Sequence, residues 1–383
     1  MTQPSPTSNP PPLIGNGVRW QSLDVLRGVA VLLVLIRHLP LFPTLRRMYP
    51  GLYDTLHRLQ LGGWVGVDLF FVLSGFLVSG ILFRQYQRDG RIQPTRFLIR
   101  RGFKIYPAFW VMIATTLVWF GLTIDPFPLQ KTIEKTAVEL AFVQNYLPGL
   151  YAHTWSLAVE EHCYIGICLI FTWMTSTSRS SSNPFRWLPA FVITTAIGVL
   201  ILRICTVPAV IPKNLVPTLG ATHLRCDTFL IGTLVGYAFY FSDGKFLEFC
   251  RRFHAVCIAC GLACLVPVFF LHIETDRIIC TWLFTLNAIG GALLLMGALG
   301  SQGKPSLGAG LLATIGEHSY SIYLWHILVA NTWLLMIIKA YKIPADLVTW
   351  TVLSLMASIL AGIVSSYLIE KPALKLRDRW FPA

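Results

Sequence analysis

One apolar stretch, Ser22 to Pro40 (SLDVLRGVAVLLVLIRHLP), carries Asp24, Arg27, Arg37 and His38. It is long and apolar enough to cross a bilayer, where an Arg or Asp at a helix centre costs about 2.5 to 3.5 kcal/mol on insertion scales. His38 lies eleven positions after Arg27. That is close to three helical turns, so the two side chains share a face about 16 Å apart along the axis. One helix then presents a cation toward one membrane face and an imidazole toward the other, which suits an elongated ligand lying along it. Arg27 could alternatively snorkel to headgroups while His38 bonds a backbone carbonyl; the common face favours function. Arg37 sits near the helix end and is expected to snorkel.

Two further clusters belong with these ends. At the level of His38, the second apolar segment contributes Asp68, and "HTWSLAVEEHCYIG" contributes Trp155, Ser156, Glu160, Glu161, His162 and Tyr164. Ser156, Glu160 and Tyr164 recur every four residues and share a helix face. "THLRCDTFLIG" adds Arg225 and Asp227. Any one of these charges could be half of a structural ion pair, but together they exceed what pairing needs. An imidazole oriented by a carboxylate is a competent general base near neutral pH. At the level of Arg27, "RFLIRRGFKIYP" places Arg96, Arg100, Arg101 and Lys104 at the start of the third segment. Such a run most often marks topology or headgroup contact, yet basic side chains beside free backbone N–H groups at a helix start also suit phosphate. "IGEHSYSIYLWHILVANTW" carries Glu317 and His318 near that level and His326 deeper, with Tyr320, Tyr323 and Trp325 expected to pack.

The elements that hold these residues follow from composition. The chain is 55% hydrophobic and 13% charged, against about 25% charged in soluble domains. The expected fold is all-α, a polytopic integral membrane bundle. Ten apolar segments approach the roughly 20 residues a span requires: 23–43, 63–83, 105–124, 155–176, 187–207, 222–242, 254–273, 278–300, 315–338 and 347–369. Residues 131–147 are shorter and mixed, as in an interfacial helix, and Gly62 to Gly66 offers a G-x-x-x-G step for close packing. Residues 1–20 form a proline-rich tail expected to be disordered and without signal-peptide character. Residues 21–370 form the membrane domain and 371–383 a short basic tail.

The net charge of +13 resides mostly in short loops, which points to topology and anionic headgroups instead of nucleic acid. Lys and Arg divide eighteen to nine between the two sets of loops, which puts both termini in the cytoplasm, as in a bacterial inner-membrane protein. Nine cysteines, mainly within apolar runs, form no disulfide framework. Cys257, Cys260 and Cys264 share a face but lack a second ligand pair, so helix contact is preferred to metal. The histidines lie at different depths with no local ligand pair, so neither metal nor haem is expected. Charges at two membrane levels would also suit a transporter or flippase, although no related halves are visible.

Taken in order, these motifs resemble those of the membrane-bound acyltransferase family 3. The resemblance rests on Arg27 and His38 with ten residues between them, the "LDVLRG" lead-in, "FFVLSGFLVSGIL", "WSLAVEEHCYIG", Arg225-x-Asp227, "HSYSIYLWH" and "EKP" at Glu370–Pro372. It implies a ten-helix enzyme that moves an acyl group, commonly acetyl, from cytoplasmic acetyl-CoA to a hydroxyl of a cell-envelope carbohydrate or glycolipid across the membrane. It also implies a catalytic His38 and a donor-assisting Arg27. The family's basic pair, usually Arg-x-x-Arg, is here Arg101 and Lys104, one planar fork fewer for bidentate phosphate binding. Many members carry a soluble esterase-like domain after the last span; none is expected within these 383 residues. On this expectation Arg27, Arg100, Arg101 and Lys104 hold the donor. His38 deprotonates the acceptor, Asp68 or Glu160 orients the imidazole, and Arg225 steadies the oxyanion. Trp155, Ser156, Tyr164, Asp227 and His326 contact substrate.

Overall fold

The computed structural model describes residues 20–39, 43–124, 128–177, 183–208, 219–273, 275–301, 306–334, 336 and 347–382. The first nineteen residues of the expected proline-rich tail lie outside that set. Every regular element among the described residues is helical. In chain order the helices that matter here are α1 (Gln21–Arg37), α2 (Pro50–Gly62), α3 (Val65–Asp89), α4 (Pro94–Thr123) and α5 (Leu129–Leu140). They continue with α6 (Trp155–Thr177), α7 (Leu188–Thr206), α8 (Cys226–Phe241), α9 (Lys245–Arg252) and α10 (His254–Leu265). The last are α11 (Phe284–Gly300), α12 (Leu307–Glu317), α13 (Ser319–Ile327), α14 (Leu347–Ser365) and α15 (Lys371–Trp380).

Local sequence explains several of these limits. Proline stands in the first turn of α2, α4 and α7, where its missing N–H costs nothing. α3 stops at Gly90, whose φ of 66° permits the left-handed turn that returns its N–H to the Tyr86 carbonyl. Ser306 caps α12 by accepting from the Ala309 N–H. Of the segment 131–147, the part up to Leu140 is helical, as α5, and the remainder is turn.

Among the described residues, six helices are long and apolar enough to cross a membrane, or seven if the pair α9 and His254–Phe269, bent by 75°, is one span. The ten expected segments are mainly helical where described, but four depart from a single long rod. α1 has 17 residues and α8 has 16. The segment 254–273 belongs to the bent pair. The segment 315–338 is broken at His318, which ends α12 and starts α13 with φ −97° and ψ 8°. A hydropathy window registers apolarity and is blind to such breaks. The G-x-x-x-G step is also interrupted: Gly62 ends α2 against the Phe269 ring, while Gly63 and Gly66 let the α2–α3 corner approach the carbonyls of Leu33 and Ala30 on α1.

Close backbone contacts tie the centre together, as expected where helices associate without a hydrophobic drive between them. α1 lies along α12, with Gly316 against the Asp24 carbonyl; α3 lies along α8, with Gly75 against the Phe229 carbonyl. The apolar core beside them is built from Phe71, Phe83, Phe109, Phe171, Phe185 and Phe229, all about 1% exposed or less.

Candidate active site

Two cavities lie back to back between α1, α3, α6 and α13. The first, of about 150 Å³, is lined by Arg27 from α1, Arg101 and Lys104 from α4, Ser156, Glu160 and Tyr164 from α6, and Ser74 from α3. Glu317, Tyr320 and Tyr323 close it. The second, of about 200 Å³, is lined by Arg37 and His38 at the end of α1, with Trp64, His153, Trp155 and Tyr323. Val67 and Tyr323 line both. α1 thus carries Arg27 into one cavity and His38 into the other.

In the arginine-side cavity, Arg27 pairs with Asp24 at 3.0 Å. Lys104 is ion-paired with Glu370, which also accepts from Ser321 Oγ at 2.7 Å. Glu370 reaches Lys104 because the chain widens into a π-helical turn over Ser366–Glu370 just before α15. Arg101 differs from both. Its guanidinium lies 5.3 Å from the Tyr164 ring centroid and 6.0 Å from that of Phe97, and it makes no hydrogen bond or ion pair among the described residues. An inward cation without a partner is a site for an anion. Glu160 is held by Ser74 Oγ at 2.8 Å and Tyr164 Oη at 2.6 Å.

In the histidine-side cavity the backbone fixes the imidazole tautomers. His326 Nδ1 lies 2.5 Å from the Tyr323 carbonyl, and His38 Nδ1 lies 2.9 Å from the Val34 carbonyl. A carbonyl only accepts, so both Nδ1 atoms carry hydrogen and both Nε2 atoms of the neutral rings carry the lone pair. His326 Nε2, 3.2 Å from His38 Nδ1, therefore accepts a second component of the same N–H. His38 is left with an unprotonated Nε2 that makes no hydrogen bond among the described residues. His153 completes the group, its ring centroid 5.0 Å from that of His326 and both its nitrogens buried without a partner.

The remaining expected site residues fall elsewhere. Asp68 and Glu160 do not contact His38. Asp68 is ion-paired with Arg225, whose guanidinium carbon lies 3.8 Å from the Phe284 ring centroid, and neither residue lines either of these two cavities. Asp227 is paired with Arg203, which also donates to Thr285 Oγ1 at 2.8 Å. No carboxylate is bonded to the His38 ring among the described residues, and the Arg225 guanidinium is engaged by Asp68. Arg100 does not line the arginine-side cavity and turns to Asp378 at 3.1 Å and to the Phe381 carbonyl. Ser156, Glu160 and Tyr164 line the arginine-side cavity, and Trp155 lines the other. His326 meets His38 directly.

Sequence reasoning missed His153 and Tyr323. His153 stands two residues before Trp155 in the same "HTWS" run, so its depth was readable. Tyr323 reads in the sequence as a packing residue, because nothing there distinguishes a ring lining two cavities from a ring in a core. Among the described residues, no group of three or more His, Cys, Asp or Glu side chains is arranged to hold a metal ion.

Comparison with known families matches residues 20–370 to the acyltransferase 3 family, described as an acyltransferase domain. The chain belongs to acyltransferase family 3. It is 24% identical over 374 residues to O-acetyltransferase OatA of Staphylococcus aureus strain NCTC 8325 / PS 47, an alignment covering 92% of this chain and 57% of that protein. It is 30% identical over 158 residues to peptidoglycan O-acetyltransferase OatA of Listeria monocytogenes, covering 38% of this chain and 23% of that protein. The chain thus spans little more than half the length of the Staphylococcus relative. No solved structure matches.

Proposed function

We propose that this chain is a membrane-embedded O-acyltransferase that moves an acyl group, acetyl in the first instance, from acyl-CoA to a carbohydrate hydroxyl. The observation that carries the reading is the pair of cavities sharing Val67 and Tyr323, with an unpartnered Arg101 in one and a free imidazole nitrogen on His38 in the other. Arg101, Arg27 and Lys104 form a basic pocket suited to the donor's phosphates, on the side assigned to the cytoplasm. The other cavity, with Trp64, Trp155 and His153, receives the acceptor. The names of the relatives make peptidoglycan the first acceptor to try.

In this mechanism His38 Nε2 takes the proton of the acceptor hydroxyl as its oxygen attacks the thioester carbonyl. The carbon–sulfur bond then breaks, and the leaving thiolate recovers the proton from His38. The positive charge on His38 in between is met by the Val34 carbonyl and by His326 Nε2. General-base assistance is worth roughly 10²- to 10⁴-fold, so His38→Ala is expected to lower turnover by at least a hundredfold. The test is thiol release and glycan acylation by purified protein supplied with acetyl-CoA and a soluble peptidoglycan fragment. Wild-type turnover retained by His38→Ala would refute the base assignment. A wild-type protein that never breaks the thioester would favour passage of a substrate over chemistry on it.

A further inference from the structure

Tyr323 is one of two residues lining both cavities, and its hydroxyl is the centre of a short hydrogen-bond chain. The phenol donates to the backbone carbonyl of His153, so its oxygen accepts from Ser156 Oγ, 2.5 Å away. This chain joins α13, the start of α6 and the turn just before it. The ring is 6% exposed and stands edge-on to Phe70 at 6.4 Å and against the His153 ring at 5.6 Å. Its backbone carbonyl holds His326 Nδ1. One residue therefore forms the wall on the donor side, the wall on the acceptor side and the anchor of the imidazole pair.

We propose that Tyr323, latched by Ser156 and the His153 carbonyl, is the residue that decides between transfer and hydrolysis; the inference rests on the acyltransferase reading above. A thioester in the arginine-side cavity meets the His38 nucleophile site only by passing the Tyr323–Val67 wall. A seated acceptor displaces Tyr323 and opens the passage; while the histidine-side cavity holds only water, the latch stays closed and that water is kept off the acyl carbon. With the latch weakened, water occupies the acceptor's place: its oxygen bonds to the acyl carbon, His38 takes its proton, the carbon–sulfur bond breaks, and the thiolate leaves as free CoA thiol after recovering that proton. The products are a free carboxylic acid and CoA, with no further reactant.

The experiment measures CoA thiol release by purified protein with and without a peptidoglycan fragment. Tyr323→Phe keeps the ring and removes the latch; Ser156→Ala removes one of its two partners. Loss of one such hydrogen bond corresponds to roughly a two- to tenfold change. Acceptor-independent thiol release is thus expected to rise by about that factor in both variants, with acylated glycan per thiol released falling in step. A purely structural role would lower transfer and hydrolysis together. Acceptor-free release that fails to rise in both variants overturns the partition, whether transfer is kept or falls with it. A second readout is independent of catalysis. With exposed cysteines replaced, Ser74→Cys in the arginine-side cavity is treated with a charged methanethiosulfonate in sealed vesicles of either orientation. Labelling is expected from one face only, and from both once Tyr323→Ala is added. Labelling from both faces without Tyr323→Ala, or from one face with it, overturns the proposal. If wild-type protein releases no thiol under any condition, the acyltransferase reading fails, and the labelling result still judges the wall.

Discussion

His38 shows how far a single side chain can be read. Its type, depth and spacing from Arg27 were legible because helical geometry maps sequence distance onto both depth and face. Its partner was not legible. A carboxylate was the natural expectation, since carboxylates commonly orient catalytic imidazoles, yet the ring is held by the Val34 carbonyl and by a second neutral imidazole, His326. That arrangement gives the residue-scale prediction. His326→Leu removes one of the two acceptors of His38 Nδ1–H, leaving the Val34 carbonyl, whereas His326→Gln can offer an amide oxygen in its place. A hydrogen bond of about 1 kcal/mol corresponds to roughly a fivefold rate effect. His326→Leu is accordingly expected to lower kcat by about that factor or more with the KM for acetyl-CoA unchanged, and His326→Gln to recover part of the loss. Equal kcat in wild type and His326→Leu would remove His326 from the mechanism.

At the scale of elements, depth and azimuth separate. Asp68, Arg225, Asp227 and His38 were all placed at one level, but a level leaves open which way each helix turns its face. α3 and α8 pack through Gly75, which turns Asp68 to Arg225 and Asp227 to Arg203, and away from the imidazole. Arg225 is 1% exposed and Asp68 fully buried. Breaking such a pair leaves an uncompensated charge and costs about 3 to 5 kcal/mol, whereas replacing both partners by apolar residues is often neutral. Arg225→Leu is therefore expected to lower the melting temperature strongly, and Asp68→Leu with Arg225→Leu to restore much of it. A stable Arg225→Leu protein with selectively reduced kcat would instead return Arg225 to catalysis.

The turn before α6 gives a pH-dependent counterpart. Glu139, buried at the end of α5, accepts from the N–H groups of Leu150 and Tyr151 at 2.9 and 3.2 Å and from Thr154 Oγ1 at 2.9 Å. It braces the turn that carries His153. Burial raises its carboxyl to about 7, against the downward pull of these hydrogen bonds. A folded-state value above the ordinary one of 4.5 means that the folded protein binds the proton more tightly. The stabilisation is full below about pH 4.5 and is lost as pH rises through about 7. The protection of the Leu150 and Tyr151 amides, measured as exchange relative to its base-catalysed intrinsic rate, is expected to fall across that interval in wild type, and Glu139→Gln to flatten the dependence. A flat wild-type profile would refute it.

For the whole molecule, the sequence conveyed a helical membrane bundle with basic and imidazole ends, because apolarity and charge are additive properties of a segment. It did not convey the breaks. His318 interrupts a run that reads as continuous, and the π-helical turn that brings Glu370 to Lys104 has no signature in composition. Nor did it convey that the two ends meet two cavities sharing Val67 and Tyr323, since that depends on how four helices pack. Such an arrangement has a consequence for sidedness. Acetyl-CoA and glycan fragments do not cross lipid unaided, so reconstituted protein in sealed vesicles should acetylate glycan only when donor and acceptor lie on opposite sides. With glycan enclosed and acetyl-CoA outside, product is expected from the molecules whose Arg101 side faces outward. With both outside, neither orientation has access to both substrates, and product should fall at least tenfold. Permeabilising the vesicles should then restore it. Equal product with both substrates outside intact vesicles would mean that one face serves donor and acceptor alike, and would refute a transfer across the bundle from Arg101 to His38.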